Sequence, residues 1–284
     1  MRLGYMFDHD RPPEELPGFA AELDERGVDD LWVVEDLGWA ASISMAALAL
    51  AATDRIRVGI GIAPAALRNP ALLAMELAPL ARIHPGRLVA GLGHGVTEWM
   101  RKVGADRTRK LALLEETIVA VRGLLAGEQV TLHGREVTVD GLRLVHPPEV
   151  VPPIVTGVVQ PRSLALSGRV ADGTIIAEGN GPAELRAALT HIGDRPGHEL
   201  VSFQFLRTDD DPQRSADLTR DTVAGQAAWL RRDPSELFGL IGPAGTLAGK
   251  VAELGDAGAA TVVLRPLGPD PSGQVSASLA ALRG

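Results

Sequence analysis

The chain has 284 residues, 36 acidic against 28 basic side chains, a net charge of −8 and no cysteine. That length suits one barrel of roughly 250 residues better than one doubly wound domain, and the acidic balance makes nucleic acid and anionic membranes poor partners. Lack of cysteine removes disulfides, thiolate nucleophiles and Cys-based metal sites, while 45% hydrophobic and 23% charged residues describe a chain able to bury a core.

Strand-like apolar runs alternate with segments of helical period eight times along the chain, the order expected of a parallel sheet. "LGYMF" (Leu3–Phe7) reads as the first strand, and Leu16, Phe19, Ala20 and Leu23 follow at helical spacing up to Gly27. "DLWVV" (Asp30–Val34) precedes an apolar helix from Ala40 to Ala52, which is too short to cross a bilayer. "IRVGIGI" (Ile56–Ile62) is the third strand, and Asn69 as cap with Pro70 behind it opens the next helix. "RLVAGLG" (Arg87–Gly93) is the fourth, followed by a helix carrying Leu111, Leu114, Ile118, Val121 and Leu125.

The stretch from Gln129 to Leu144 alternates apolar and polar residues around Gly134 and reads as an inserted hairpin. "PPIVTG" and "TIIAEG" supply strands five and six, and a helix opens at Pro182. Glu199–Arg207 is strand seven, with a helix expected somewhere in 213–232 despite weak periodicity up to Leu240. A helix within Pro243–Ala259 precedes the closing strand "TVVLRPLG", and a short helix follows. The fold expected is therefore α/β, a (β/α)8 TIM barrel forming a single domain over 1–284, with the hairpin near 129–144 inserted. The N-terminus "MRLGYMFDHD" lacks the apolar core of a secretory signal, so a cytoplasmic location is expected.

Barrel function gathers at the C-terminal strand ends, which here offer Asp8 and His9, Glu35 and Asp36, Gly61 and Ile62, His94, Thr156 and Gly157, Glu178 and Arg265. "GLGHGVTEWM" (91–100) is not a dinucleotide fingerprint, because its third glycine is Gly95, one place early. The seven histidines lack metal-site spacing, so no metal site is expected, and no GxSxG elbow is present. Adjacent Glu35 and Asp36 point to different sides, so only one can face the mouth, and a cap on the following helix is the alternative reading of the pair. Arg265 suits a structural ion pair. "GVVQPRSLA" after strand five enters a helix whose start can bind phosphate, with Arg162 and Ser163 adding a charge and a donor; Ser163 as a plain helix cap is the alternative.

Together "GVDDLWVVED", "TDRIRVGIGIAPAALRNPALLAMELAPLARIHPGRLVAGLGHG", "PRSLALSGRVADGTIIAEG" and "PAGTLAGKVAELGDAGAATVVLRP" resemble the luciferase-like monooxygenase superfamily over nearly the whole chain. "GHGVTEWMRKVGA" is similar to its coenzyme F420 branch, akin to methylenetetrahydromethanopterin reductase. The resemblance implies a flavin-like ring in the barrel mouth, backed by a bulge at Gly61 and Ile62 that usually holds a non-proline cis peptide. It places the cofactor phosphate at Val158, Val159, Gln160, Pro161, Arg162 and Ser163 beside Gly157, and Gly93, His94, Gly95 and Val96 beside the ring. F420 is the cofactor implied, with FMN as the alternative, and hydride transfer to or from a small-molecule substrate is the activity implied.

Many deazaflavin members end strand two with Asp-His, where this chain has Glu35-Asp36. The catalytic set expected is therefore Asp36, His94, Glu35 and His9, with Asp36, His9 or His94 supplying the proton. An FMN monooxygenase, a binding barrel without catalysis and a flavin-free isomerase or aldolase are the competing readings; the last lacks a strand-end lysine. Relatives are commonly dimers, and the apolar second and third helices could form a homodimer interface.

Overall fold

In the computed structural model, which describes residues 1–283, each repeat lies where the apolar periodicity puts it. Strand β1 (Arg2–Phe7) leads to α1 (Leu16–Glu25), β2 (Asp30–Val33) to α2 (Ser42–Ala51), and β3 (Arg57–Ile60) with the short β4 (Ala63–Pro64) to α3 (Pro70–Ile83). Next come β5 (Leu88–Gly93), α4 (Thr97–Lys102), α5 (Lys110–Leu125) and the hairpin of β6 (Val130–His133) and β7 (Thr138–Leu142). Then follow β8 (Ile154–Gly157), α6 (Pro161–Val170), β9 (Gly173–Ile176), α7 (Pro182–Ile192), β10 (Glu199–Thr208) and α8 (Pro212–Leu230). The chain continues through β11 (Leu240–Gly242), α9 (Leu247–Asp256), β12 (Thr261–Pro266) and α10 (Pro271–Arg283).

Strands β1, β2, β3, β5, β8, β9, β10 and β12 pair in parallel, and β9 meets β10 to close the eight-stranded barrel. The closed ring leaves no exposed edge among these strands and turns all their C-terminal ends to one rim. Helix caps follow their sequence signals: Asn69 accepts from the Ala71 amide at 2.9 Å with Pro70 first in α3, and Gly27 ends the first repeat at φ +68°. The hairpin is anchored by Glu116 of α5, whose carboxylate accepts from the amides of Arg135, Glu136 and Val137.

Two cores result from the alternation of side chains along each strand. The outer faces pack against the helices in one large cluster that includes Leu16, Leu31, Leu73 and Ile118. The inner faces contribute Met6, Trp32, Val89, Val155, Ile175, Val201, Phe203 and Val263. Trp32 is fully buried and meets Phe203 edge-on, with ring centroids 5.3 Å apart at 71°. Gly59 has to be glycine here, because a Cβ would sit 2.4 Å from the Trp32 ring. The interior is thus a packed floor, and anything bound must lie above Trp32 at the mouth.

Below that floor, Arg57 donates to Asp30 and Glu199, Thr261 donates to Glu199, and Arg2 pairs with Glu199. Burial opposes the charge on Glu199, but Arg57, Thr261 and Arg2 outweigh it and bring its pKa down to about 2. Asp30 lies deeper, and there burial wins over Arg57, so its pKa is raised.

The sequence reading differs from the structure at three places. The expected continuous strand Ile56–Ile62 is broken after Ile60, because the Gly61–Ile62 peptide is cis and the chain steps over to β4, which pairs with β5 instead. Helix α4 went unforeseen because Met100 alone in it is buried, so it has no apolar stripe. The helix expected in 213–232 is present as the 19-residue α8, which buries Ser215, Thr219 and Ala227 and is capped by Asp211, whose side chain accepts from the Gln213 and Arg214 amides. The three-residue β11 continues the pairing of β10 beyond Ser202, where β9 leaves it. No helix among the described residues is long and apolar enough to cross a membrane.

Candidate active site

The mouth is built from residues that immediately follow the strands. His9, after β1, lies with Nδ1 2.6 Å from Asp36 Oδ2, after β2, and 3.5 Å from Asp8 Oδ1. The hydrogen bond to Asp36 and the Asp8 charge overcome burial and raise the His9 pKa. The Trp39 ring rests against His9 with centroids 4.9 Å apart. Because Nδ1 is held by Asp36, Nε2 is the ring atom able to exchange a proton with a ligand.

Glu35 points the other way, as adjacent residues of a strand end must. Its carboxylate accepts from the Ser42 amide at 3.0 Å and hydroxyl at 2.6 Å, and from both terminal nitrogens of Arg68 at 2.6 and 3.0 Å. Glu35 thus anchors the start of α2, its carboxylate held by Ser42 and Arg68. Asp36 is the carboxylate of that pair beside His9.

Asp8 accepts from Arg265 Nε at 2.6 Å and Nη2 at 3.0 Å. The same guanidinium stands 3.5 Å from Glu178 Oε1. Burial works against the charge of Arg265, but Glu178 and Asp8 more than compensate and raise its pKa. The ion pair expected of Arg265 is therefore present, and it belongs to the mouth itself, linking the ends of β1, β9 and β12. Neither the Asp8 link nor the nearness of Glu178 is legible from spacing, since 257 residues separate Arg265 from Asp8.

On the opposite side His94, after β5, has Nε2 3.1 Å from Ser163 Oγ in the first turn of α6. Burial and the Lys110 charge lower its pKa, which keeps the ring neutral and suits it to hydrogen bonding. Ser163 is thereby engaged with His94, and Gln160 at the N-cap of α6 makes no side-chain cap bond. Val159, Gln160, Pro161 and Arg162 are exposed around this helix start, and Val158 is buried beneath it.

Between the two sides, Ile62 lies against backbone. A Cβ on Gly93 would sit 2.9 Å from Ile62 Cδ1, and one on Gly157 2.7 Å from its Cγ2. Gly95 adopts φ +68°, which carries the loop past Pro64 toward Val96 and α4. The structure gathers Gly61, Ile62, Gly93, Gly157 and the His94–Ser163 contact on one flank, and His9, Asp36, Asp8, Glu178 and Arg265 on the other.

A closed parallel barrel with polar groups gathered at its C-terminal rim has the build of a barrel enzyme. The chain belongs to the luciferase-like monooxygenase family, whose pattern matches residues 1–214.

Among its relatives, 5,10-methylenetetrahydromethanopterin reductase of Methanolobus tindarius is 29% identical over 192 residues, 68% of this chain and 58% of the reductase. F420-dependent glucose-6-phosphate dehydrogenase of Kineococcus radiotolerans is 28% identical over 243 residues, 78% of this chain and 72% of the dehydrogenase. The alignment with the reductase thus spans little more than half of that relative. The solved F420-dependent tetrahydromethanopterin reductase of Methanopyrus kandleri superposes with a TM-score of 0.84 at 20% identity, covering 99% of this chain and 97% of that one. An F420-dependent secondary alcohol dehydrogenase in complex with an F420-acetone adduct gives 0.86 at 18% identity over 100% and 99% of the two chains. At such identities the superpositions establish the barrel and its inserted hairpin.

Proposed function

We propose that the protein is an F420-dependent oxidoreductase that moves a hydride between the deazaflavin and a small organic substrate. The His9–Asp36 pair carries this reading: a proton-exchanging group stands at the mouth although the usual strand-two histidine is replaced by Asp36. Relatives named as F420-dependent dehydrogenases support the cofactor.

The residues present fit such a group. Gly61 and Ile62 with Gly93 and Gly157 make a wall of backbone and one aliphatic side chain that suits a flat ring. The start of α6, within Val158, Val159, Gln160, Pro161, Arg162 and Ser163, offers a phosphate the Arg162 amide and side chain, the Ser163 hydroxyl and a positive helix end, Pro161 having no N–H and the Ser163 amide donating to the Gln160 carbonyl. His94 holds Ser163 in place, and Gly95 and Val96 complete the edge. When bound, F420 supplies a hydride carrier of low oxygen reactivity.

The chain's own contribution is positioning, exclusion of water and proton handling. Reduction of a carbonyl needs a proton at oxygen, and oxidation of an alcohol releases one. His9 holds that proton at Nε2, while Asp36 fixes the ring and stabilises its charged form. Of the three proton candidates, His9 has the raised pKa, His94 the lowered one, and Asp36 acts through His9.

Titration with F420 and with FMN, followed by fluorescence or calorimetry, tests the reading. Binding of F420 in the micromolar range or tighter with weak FMN binding is expected. Tight FMN binding without F420 binding points instead to an FMN-dependent monooxygenase. Tight F420 binding with no hydride exchange under a broad substrate screen points to a binding barrel. Exposed Leu48 on α2 and Leu72 and Met75 on α3 support a homodimer through these helices, which sedimentation checks.

A further inference from the structure

The two flanks of the mouth differ in charge, and the difference bears on the substrate. On the β1–β2–β9–β12 side stand Asp8, Asp36 and Glu178, faced by Arg265 and His9. Carboxylates outnumber cations there even when His9 is protonated. Arg265 is already engaged by Asp8 and Glu178.

The neighbouring arginines are committed too. Arg11 lies 4.5 Å from the centroids of both Phe7 and Phe19 and donates to Glu15. Arg68 is held by Glu35 and Arg207 by Asp209. A phosphate ester is recognised by cations or amides with unused donors, and on this flank the cations are spent on the chain's own carboxylates.

Glu178 adds a positive criterion. Its side chain is 10% exposed, stands 3.5 Å from the Arg265 guanidinium and accepts no hydrogen bond among the described residues. A buried carboxylate short of donors favours a ligand that brings one. A hydroxyl group does so without adding negative charge.

We propose that the substrate flank takes uncharged hydroxy compounds, or the carbonyl compounds related to them, with Glu178 as the acceptor for the substrate hydroxyl, and that it refuses phosphate esters. This departs from the glucose-6-phosphate dehydrogenase relatives. It rests on the reading of this mouth as the substrate site of an F420 enzyme. The refusal follows from like-charge repulsion across a short, partly desolvated distance.

The test titrates the protein, with and without F420, with a panel of uncharged secondary alcohols on one arm and with inorganic phosphate and glucose 6-phosphate on the other. Calorimetry and the fluorescence change of Trp39, beside His9, read both arms. An alcohol is expected to bind at least tenfold more tightly than either phosphate. Glu178→Gln should weaken the alcohol at least fivefold and bring the two arms closer, whereas Glu178→Asp, which keeps the charge, should still refuse phosphate. Tighter binding on the phosphate arm, silence on both arms, or discrimination unaltered in Glu178→Gln overturns the proposal. Absence of F420 binding sinks the cofactor reading alone, because Trp39 fluorescence, which reports the His9 flank rather than the phosphate site at the α6 start, still gives the charge preference without F420.

Discussion

The barrel carries one ion network at each end, built from the same residue types but wired differently. At the N-terminal end Arg57 donates to Asp30 and Glu199, and Trp32 and Thr261 add further donors to these carboxylates. Asp30 and Thr261 are fully buried, and the network closes on itself. At the C-terminal end His9, Asp36, Asp8, Arg265 and Glu178 lie at a mouth, with His9 Nε2 and the Glu178 carboxylate free of hydrogen bonds among the described residues. A saturated network contributes rigidity, whereas one with capacity left over can exchange a proton or receive a ligand. Completeness of hydrogen bonding separates the two ends more sharply than composition or charge.

The largest expected effect that sharpens this contrast is at His9. His9→Asn should lower turnover of an F420-linked reaction by about 10²–10⁴-fold, the usual worth of a general acid or base, while shifting the denaturant midpoint little. An equal loss of stability and activity would place His9 with the structural network instead. At the other end, Arg57→Met leaves the buried Asp30 without its hydrogen-bonded cation below the barrel floor, while Glu199 keeps Arg2 and Thr261. It should cost about 3–5 kcal/mol in denaturant unfolding, as broken buried pairs do, with F420 affinity of the folded protein retained.

Next in size is Glu35→Ala, which removes the anchor of the α2 start and leaves Arg68 with Glu76 alone. It should cost about 1–3 kcal/mol of stability, measured by thermal unfolding, and should slow turnover far less than His9→Asn.

The smallest effect concerns pH. Folding raises the His9 pKa, so its contribution to stability is complete below the ordinary imidazole value and disappears as pH rises through the raised folded value. Glu199 behaves oppositely: with its folded pKa at about 2, its contribution is present above the ordinary carboxylate range and is lost as pH falls from there toward about 2. Asp36→Asn should therefore flatten the alkaline limb of the stability profile and leave the acid limb in place. A change in the acid limb of that variant would show that the two networks are coupled through the barrel.

How much of this could be read from the chain depends on the range of the interaction involved. The eight alternations, the Asn69–Pro70 start, the hairpin around Gly134 and the α6 entry after "GVVQ" are written in local periodicity and cap chemistry, and all stand where expected. Helix α8 was hard to see because its buried positions are Ser215, Thr219 and Ala227, which leave no apolar stripe. For Glu35 and Asp36, pleating dictated that one carboxylate faces the mouth, but Ser42 and Arg68 decided which.

The sequence by itself determined the barrel, the family and the rim positions, because side-chain periodicity and turn residues act within a few residues of one another. Only the tertiary structure joined His9 to Asp36, Arg265 to Asp8 across 257 residues, and His94 to Ser163 across 69. Those pairings arise from closure of the ring, which brings distant strand ends within hydrogen-bond reach. No local pattern records which polar group will stand opposite which.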